Sequence, residues 1–118
     1  MLTEIHTERL KYLARKLRSG EYTECAGGLR IDDGFCAAGV ACDILVNESD
    51  EGLSWSHNGG LRVTDSHERV GDWCTRLSRY FGMTDSQALS LVDANDADSS
   101  AGMRHETAAR CIDAMVSD

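Results

Sequence analysis

The stretch Gly27-Gly28-Leu29-Arg30-Ile31-Asp32-Asp33-Gly34-Phe35-Cys36-Ala37-Ala38-Gly39-Val40-Ala41-Cys42-Asp43-Ile44-Leu45 runs glycines, two acids and two cysteines straight into an apolar segment. Phe35 to Leu45 is a continuous apolar run long enough for a buried helix. Ala37, Ala38 and Ala41 are strong helix formers and poor strand formers, so the run predicts a helix over 35–45 rather than a strand. Ahead of it, Leu29 to Ile31 reads as a short strand and Asp33-Gly34 as a tight turn. A small β element feeding a buried helix places the chain in the α+β class.

Working outward, Ile5, Leu10, Leu13, Ala14 and Leu17 recur at helical spacing, and Ser19-Gly20 supplies a stop, which predicts a first helix over 4–18. Asn47 to Gly52 is polar and reads as a loop. Leu53 to Ser56 and Leu61 to Thr64 alternate apolar and polar residues around His57-Asn58-Gly59-Gly60, and Asn and Gly tolerate positive φ, so a β-hairpin is expected around 53–64. Asp65 or Ser66 can cap a helix over 67–81 whose face is Val70, Trp73, Cys74, Leu77 and Phe81, with Gly82 ending it. Thr84 with Gln87 has the form of a capping box opening a helix over 85–92. Asp93 to Ser100 reads as a polar loop, with Asp98 to Ser100 as helix-capping residues. Ala108, Ile112 and Met115 mark an amphipathic helix over 101–116. No repeat, linker or low-complexity tract interrupts these elements. The expected architecture is a single small helix-rich α+β domain spanning 1–118, with a short β-hairpin.

The 118 residues suffice for one modest core and not for two. No apolar stretch approaches the roughly 18 to 20 residues needed to cross a bilayer, and Met1 to His6 lacks the basic-then-apolar layout of a signal peptide. A cytoplasmic protein, with no membrane partner, is expected. Cys25, Cys36, Cys42, Cys74 and Cys111 are five, so complete internal disulfide pairing is arithmetically excluded and reduced thiols are expected. At least three of them, drawn from Cys36, Cys42, Cys74 and Cys111, fall on apolar helical positions and are expected to be buried. The formal net charge is −8, and the acids concentrate after residue 31, where sixteen face six basic residues. Such a surface repels phosphate backbones, which argues against direct nucleic-acid binding. It suits a basic partner, including a DNA-binding groove that an acidic decoy could fill.

Helix one ending in Leu17-Arg18-Ser19-Gly20-Glu21-Tyr22, then Gly28-Leu29-Arg30, Asp33-Gly34-Phe35-Cys36, Gly39-Val40 and Cys42-Asp43, resembles a group of small uncharacterised bacteriophage and prophage proteins. The shared pattern is G-L-R-x-x-D-G-F-C-x-x-G-V-x-C-D. Leu91-Val92-Asp93-Ala94-Asn95-Asp96 before a closing helix looks like that group's C-terminal pattern of an Asn-Asp pair. Ala37 and Ala38 depart from the cysteine and larger apolar residue that relatives tend to carry, and Ala101 to Met103 lacks the usual aromatic. The resemblance implies a phage origin and a host-cell cytoplasmic setting, and it supplies no catalytic residues.

Three chemistries can be drawn from the side chains. Cys36 at a helix N-terminus, with His57 or His67 as its base, has the layout of a small papain-like cysteine hydrolase, because exposed amides and the helix dipole stabilise a thiolate. Cys36 and Cys42 are separated by five residues and form no zinc knuckle, and a calcium loop starting at Asp96 would have Ala101 where glycine is required and Thr107 in place of the bidentate glutamate. Neither a metal nor a cofactor is therefore expected. Gly27-Gly28 and Gly59-Gly60 match no phosphate loop. Trp55, His57 and Arg62 on the hairpin, with Asp32 and Asp33 on the turn, are the candidate binding residues, since Trp and Arg dominate binding hot spots. The expectation is a non-catalytic phage accessory protein that binds and neutralises a host component. That component is either a host protein with a basic surface or a small signalling ligand, which makes the chain a counter-defence inhibitor or a ligand-sequestering protein. A homo-oligomer is compatible with these features.

Overall fold

A computed structural model describes residues 3–56, 59–64, 72–97 and 103–117. Its first helix, α1 (Glu4–Arg18), begins where the Thr3 hydroxyl accepts the His6 amide at 3.1 Å, and it buries Leu10, Leu13, Ala14 and Leu17. That spacing is one helical face. Ile5, expected on the same stripe, is instead 62% exposed. Three two-residue strands follow: β1 (Thr23–Glu24), β2 (Arg30–Ile31) and β3 (Gly34–Phe35). They form a sheet in the order β1-β3-β2, with β3 parallel to β1 and antiparallel to β2.

The helix α2 (Ala37–Glu48) is the centre of the core, with Ala37 to Cys42, Ile44 and Leu45 all buried. A helix apolar on nearly every side must be surrounded, and α1, the hairpin and the later helices do this. It starts two residues later than the apolar run suggests and continues to Glu48. The delay arises because Phe35 pairs within the sheet, its carbonyl accepting the Cys25 amide at 3.2 Å, while Cys36 is extended and serves as the N-cap. After α2 come β4 (Leu53–Trp55) and β5 (Leu61–Val63), the expected antiparallel hairpin.

The helix α3 (Trp73–Phe81) is capped by Asp72, whose carboxylate accepts both the amide and the hydroxyl of Thr75, and Gly82 closes it at φ +78°. A side chain on Gly82 would also collide with the His6 ring. The proposed caps Asp65 and Ser66, together with His67 and Val70, lie outside the described residues. Thr84 and Gln87 form the reciprocal capping box at the start of α4 (Asp85–Ala97), with bonds of 2.8 and 3.1 Å.

This helix runs through Asp93 to Ala97 in place of the expected polar loop; Ala88, Leu91 and Asn95 continue one buried face, while Asp93 and Asp96 point to solvent. The proposed capping residues 98–100 lie outside the described residues. The closing helix α5 (Arg104–Val116) packs along α1. Arg18 of α1 bridges Glu106 and Asp113 of α5, each at 2.8 Å. All five cysteines are free; Cys36 and Cys42 are buried, but Cys25, Cys74 and Cys111 are only half-buried, so two thiols rather than three are enclosed. Cys74 and Cys111 sit at the margins of their apolar helix faces, where neighbouring elements cover them in part.

Candidate functional site

The glycine–cysteine motif turns out to be a junction. The Leu29 carbonyl accepts the Cys36 amide at 3.0 Å, and a Cβ on Gly39 would overlap that same carbonyl oxygen, so α2 can reach the β2 segment only with glycine there. Gly34 likewise faces Cys25 and the Glu24 carbonyl too closely to carry a side chain. Asn95, fully buried on α4, closes the junction from the other side: its Oδ1 accepts the Ala37 amide at 3.1 Å, and its Nδ2 donates to the Cys25 carbonyl at 2.8 Å and to Asp96 at 3.0 Å. Glu24 accepts the Arg104 and His105 amides at 3.1 and 3.0 Å, which supplies an anion at the N-terminus of α5. Buried His105 returns the link through Nε2, which donates to the Phe35 carbonyl at 2.8 Å.

Within this junction Cys36 is not poised for nucleophilic attack. It is 2% exposed, and its Sγ accepts the Gly39 amide at 3.3 Å as the cap of α2. Burial pushes the thiol up to about 11, outweighing the stabilising amides of Gly39 and Ala38. His105, the buried histidine of the described residues, serves the strand carbonyl and not the thiol. His57 and His67, the proposed bases, lie outside the described residues. Among the described residues no group of three His, Cys, Asp or Glu side chains is placed to hold a metal ion.

The hairpin is fastened from inside. Asp43 on α2 accepts the Trp55 indole N–H at 2.9 Å, the Tyr22 hydroxyl at 2.7 Å and the Asn47 side-chain Nδ2 at 3.1 Å. Burial, then the bond to Asp43, raises the Tyr22 hydroxyl well above its ordinary range and keeps it protonated. Phe35 meets Tyr22 and Trp55 edge-on, at 5.0 and 5.8 Å between ring centres, and the Arg30 guanidinium lies 5.0 Å from the Phe35 ring and 5.6 Å from Trp55. Nothing in the sequence marked Tyr22, Arg30 or Asp43 for this role except their placement in or beside the motif.

The strand register decides how the candidate binding residues sit. Trp55 pairs with Leu61 and Ser54 with Arg62, so Trp55 faces the core while Arg62 lies on the opposite face, its Nε donating to the Ser54 hydroxyl at 3.1 Å. The two do not form one contact patch. Asp32 and Asp33, by contrast, form the exposed β2–β3 turn beside Ile31, which is 44% exposed. Among the described residues neither carboxylate has an ion-pair partner. Asp32 holds φ +53°, a conformation costly for a side chain and tolerated best by Asp and Asn among non-glycine residues. Gly59, at the hairpin's end, approaches the Arg30 carbonyl so closely that a Cβ would overlap it, which brings turn and hairpin side by side.

A second feature had no sequence signal. A surface groove of about 520 Å³ is lined by Glu4, Ile5, Glu8, Arg9, Tyr12 and Arg15 of α1, with Glu48 and Tyr80 opposite. Tyr12 donates to Glu48 at 2.8 Å, and Arg9 lies 3.9 Å over the Tyr80 ring while donating to its carbonyl at 2.9 Å.

Residues 7–76, from α1 through the motif and hairpin into α3, match the family described as a domain of unknown function (DUF8296), and the chain belongs to that family. No curated protein and no solved structure matches the chain.

Proposed function

We propose that this chain is a non-catalytic accessory protein of bacteriophage or prophage origin that works in the host cytoplasm by binding and neutralising a host component. The observation that carries the reading is the β2–β3 turn, which presents exposed Ile31 between a half-buried arginine and two carboxylates without ion-pair partners among the described residues. A short rigid turn, anchored by α2 on one side and the hairpin on the other, loses little freedom on binding. Its acidic tip, on a chain of net charge −8, favours encounter with a basic protein surface. The described helices include none long and apolar enough to cross a membrane. A small signalling ligand is the other partner class, reached through the same turn and the outer hairpin face around Arg62. The hydrolase alternative, using Cys36 with His57 or His67, is opposed by the enclosure of Cys36 and its raised thiol.

The test is purification of the tagged protein from its host, with and without phage infection, followed by mass spectrometry of co-purifying proteins and small molecules. Asp32→Asn, which keeps the positive φ, with Asp33→Lys should lower capture at least tenfold, Arg62→Ala less, and Cys36→Ser not at all. Serine caps a helix well, so that variant should fold. Full capture by the Lys variant together with its loss in folded Cys36→Ser would reverse the assignment.

A further inference from the structure

The outward stripe of α1 is complementary to itself. Glu4 and Glu8 are exposed near its start and Arg15 is exposed near its end, and among the described residues none of the three has an ion-pair partner. By contrast, Lys16 and Arg18 on the same helix are each paired within the chain. Between the free charges sit Ile5, 62% exposed, and the half-buried Tyr12 ring, and all five side chains line the groove whose far wall is Tyr80 and Glu48. Arg9, which also lines it, is held by the Tyr80 ring and carbonyl.

We propose that this stripe is the contact surface of a homodimer in which two copies of α1 pack antiparallel across a twofold axis. A helix rises about 1.5 Å per residue, so Glu4 and Arg15 stand roughly 16 Å apart along α1. An axis beside the middle of the helix, near Leu10 and Lys11, sets Arg15 of each copy opposite the Glu4–Glu8 turn of the other and brings the two Tyr12 rings together at the centre. The isologous arrangement sets Glu4, Glu8 and Arg15 of each copy against opposite charge, leaves exposed Lys11 beside the axis unmatched, and covers Ile5, whose exposure at a position of helical periodicity is otherwise unaccounted for. A foreign basic segment fits less well, because the stripe carries charges of both signs and would leave Arg15 facing a like charge. A parallel pairing would set acid against acid. The surface shares no residue with the β2–β3 turn, so the dimer does not depend on the partner-binding reading above.

A contact of one helix stripe per copy falls at the small, transient end of interface sizes, so the dimer is expected to be weak and to form at high protein concentration. The decisive measurement is sedimentation equilibrium of the full chain from about 10 to 1,000 µM, with circular dichroism as the folding control. Wild type should pass from monomer to dimer across that range. The Glu4→Arg/Glu8→Arg variant and the Arg15→Glu variant should each weaken association at least tenfold when alone, and an equimolar mixture should form a heterodimer. These positions are exposed, so folding should be kept; Ile5→Asp provides an independent disruption. A monomeric wild type at the highest concentration would leave the groove to a foreign segment and overturn the proposal. Wild-type dimers that persist in both charge variants, or variants whose mixture fails to associate, would overturn it as well.

Discussion

Replacing Asn95 by Ala should be among the most damaging single substitutions outside the apolar core. Asn95 is fully buried and makes three hydrogen bonds, two of which satisfy backbone groups of other segments: the Ala37 amide at the start of α2 and the Cys25 carbonyl. Alanine leaves both without a partner where water has poor access. Each orphaned buried polar group costs about 1–3 kcal/mol, so the pair costs about 3–4 kcal/mol, with lost packing adding to it. With a urea slope of about 1.5 kcal/mol per molar, the unfolding midpoint should fall by roughly 2 M. Asn95→Asp separates the two bonds. The carboxylate still accepts the Ala37 amide but cannot donate to Cys25, and it sits beside Asp96, so its folded-state pKa rises above the unfolded value. A carboxyl with a raised folded pKa destabilises above its unfolded pKa, and the penalty shrinks as pH falls toward that value. Urea titrations at pH 7 and pH 5 should therefore show Asn95→Asp recovering part of its loss at the lower pH while Asn95→Ala does not. A midpoint shift under about 0.5 M for Asn95→Ala would refute the reasoning.

Gly39→Ala should prevent native packing of α2 against Leu29, losing about 3 kcal/mol or more, whereas Gly20→Ala, with open space but φ +78°, should lose only about 1 kcal/mol; paired thermal melts distinguish the two. Thiol labelling at pH 8 should be slow at Cys36 and Cys42 and faster at half-buried Cys25, Cys74 and Cys111, as read by mass spectrometry of the modified peptides. The raised Cys36 thiol, about 11 when folded, also predicts stability that is unaffected below the unfolded thiol's value near 8.5 and declines as pH rises from there toward 11, measurable by denaturation at pH 7 and pH 10 in the wild type and Cys36→Ser. Asp43→Ala removes the acceptor shared by Tyr22 and Trp55 and should cost about 2–3 kcal/mol while changing tryptophan fluorescence; an unchanged emission spectrum would show that the hairpin is not held through Asp43.

What the sequence made legible follows the local signals. The stripe Leu10, Leu13, Ala14, Leu17 and the Thr84–Gln87 box were readable because period and cap chemistry are local. The end of α4 was not, because the residue that continues its buried face is Asn95, and a buried polar side chain is invisible to apolar periodicity. The hairpin was legible but its register was not. The expected strands 53–56 and 61–64, joined by His57 to Gly60, would have paired Trp55 with Arg62 on one face, whereas residues 56–60 connect the strands and pair Trp55 with Leu61. A slip of one residue exchanges the faces, which is why two adjacent-looking candidates part company. The tight turn expected at Asp33-Gly34 sits one residue earlier: Asp32 and Asp33 form it, exposed, because Gly34 is already paired in β3.

The same geometry moves any binding role away from the centre of the motif. Two-residue strands cannot stand alone in water, so the small sheet exists because α2, α4 and α5 hold it through Asn95, Glu24 and His105. Gly34, Cys36 and Gly39 are thereby committed to close packing and capping, and changing them would unfold the junction before it altered any surface. Only the rim of the motif, where Ile31 and Asp33 emerge and Asp32 can become Asn at its positive φ, can vary its chemistry without that cost. Trp55, although a residue type common in hot spots, belongs with the committed group, since its indole N–H is engaged by Asp43 and its ring by Phe35. Loss of partner capture in Trp55→Ala would therefore report a loosened hairpin, whereas loss in the charge-reversed turn, with the fold intact, reports recognition itself.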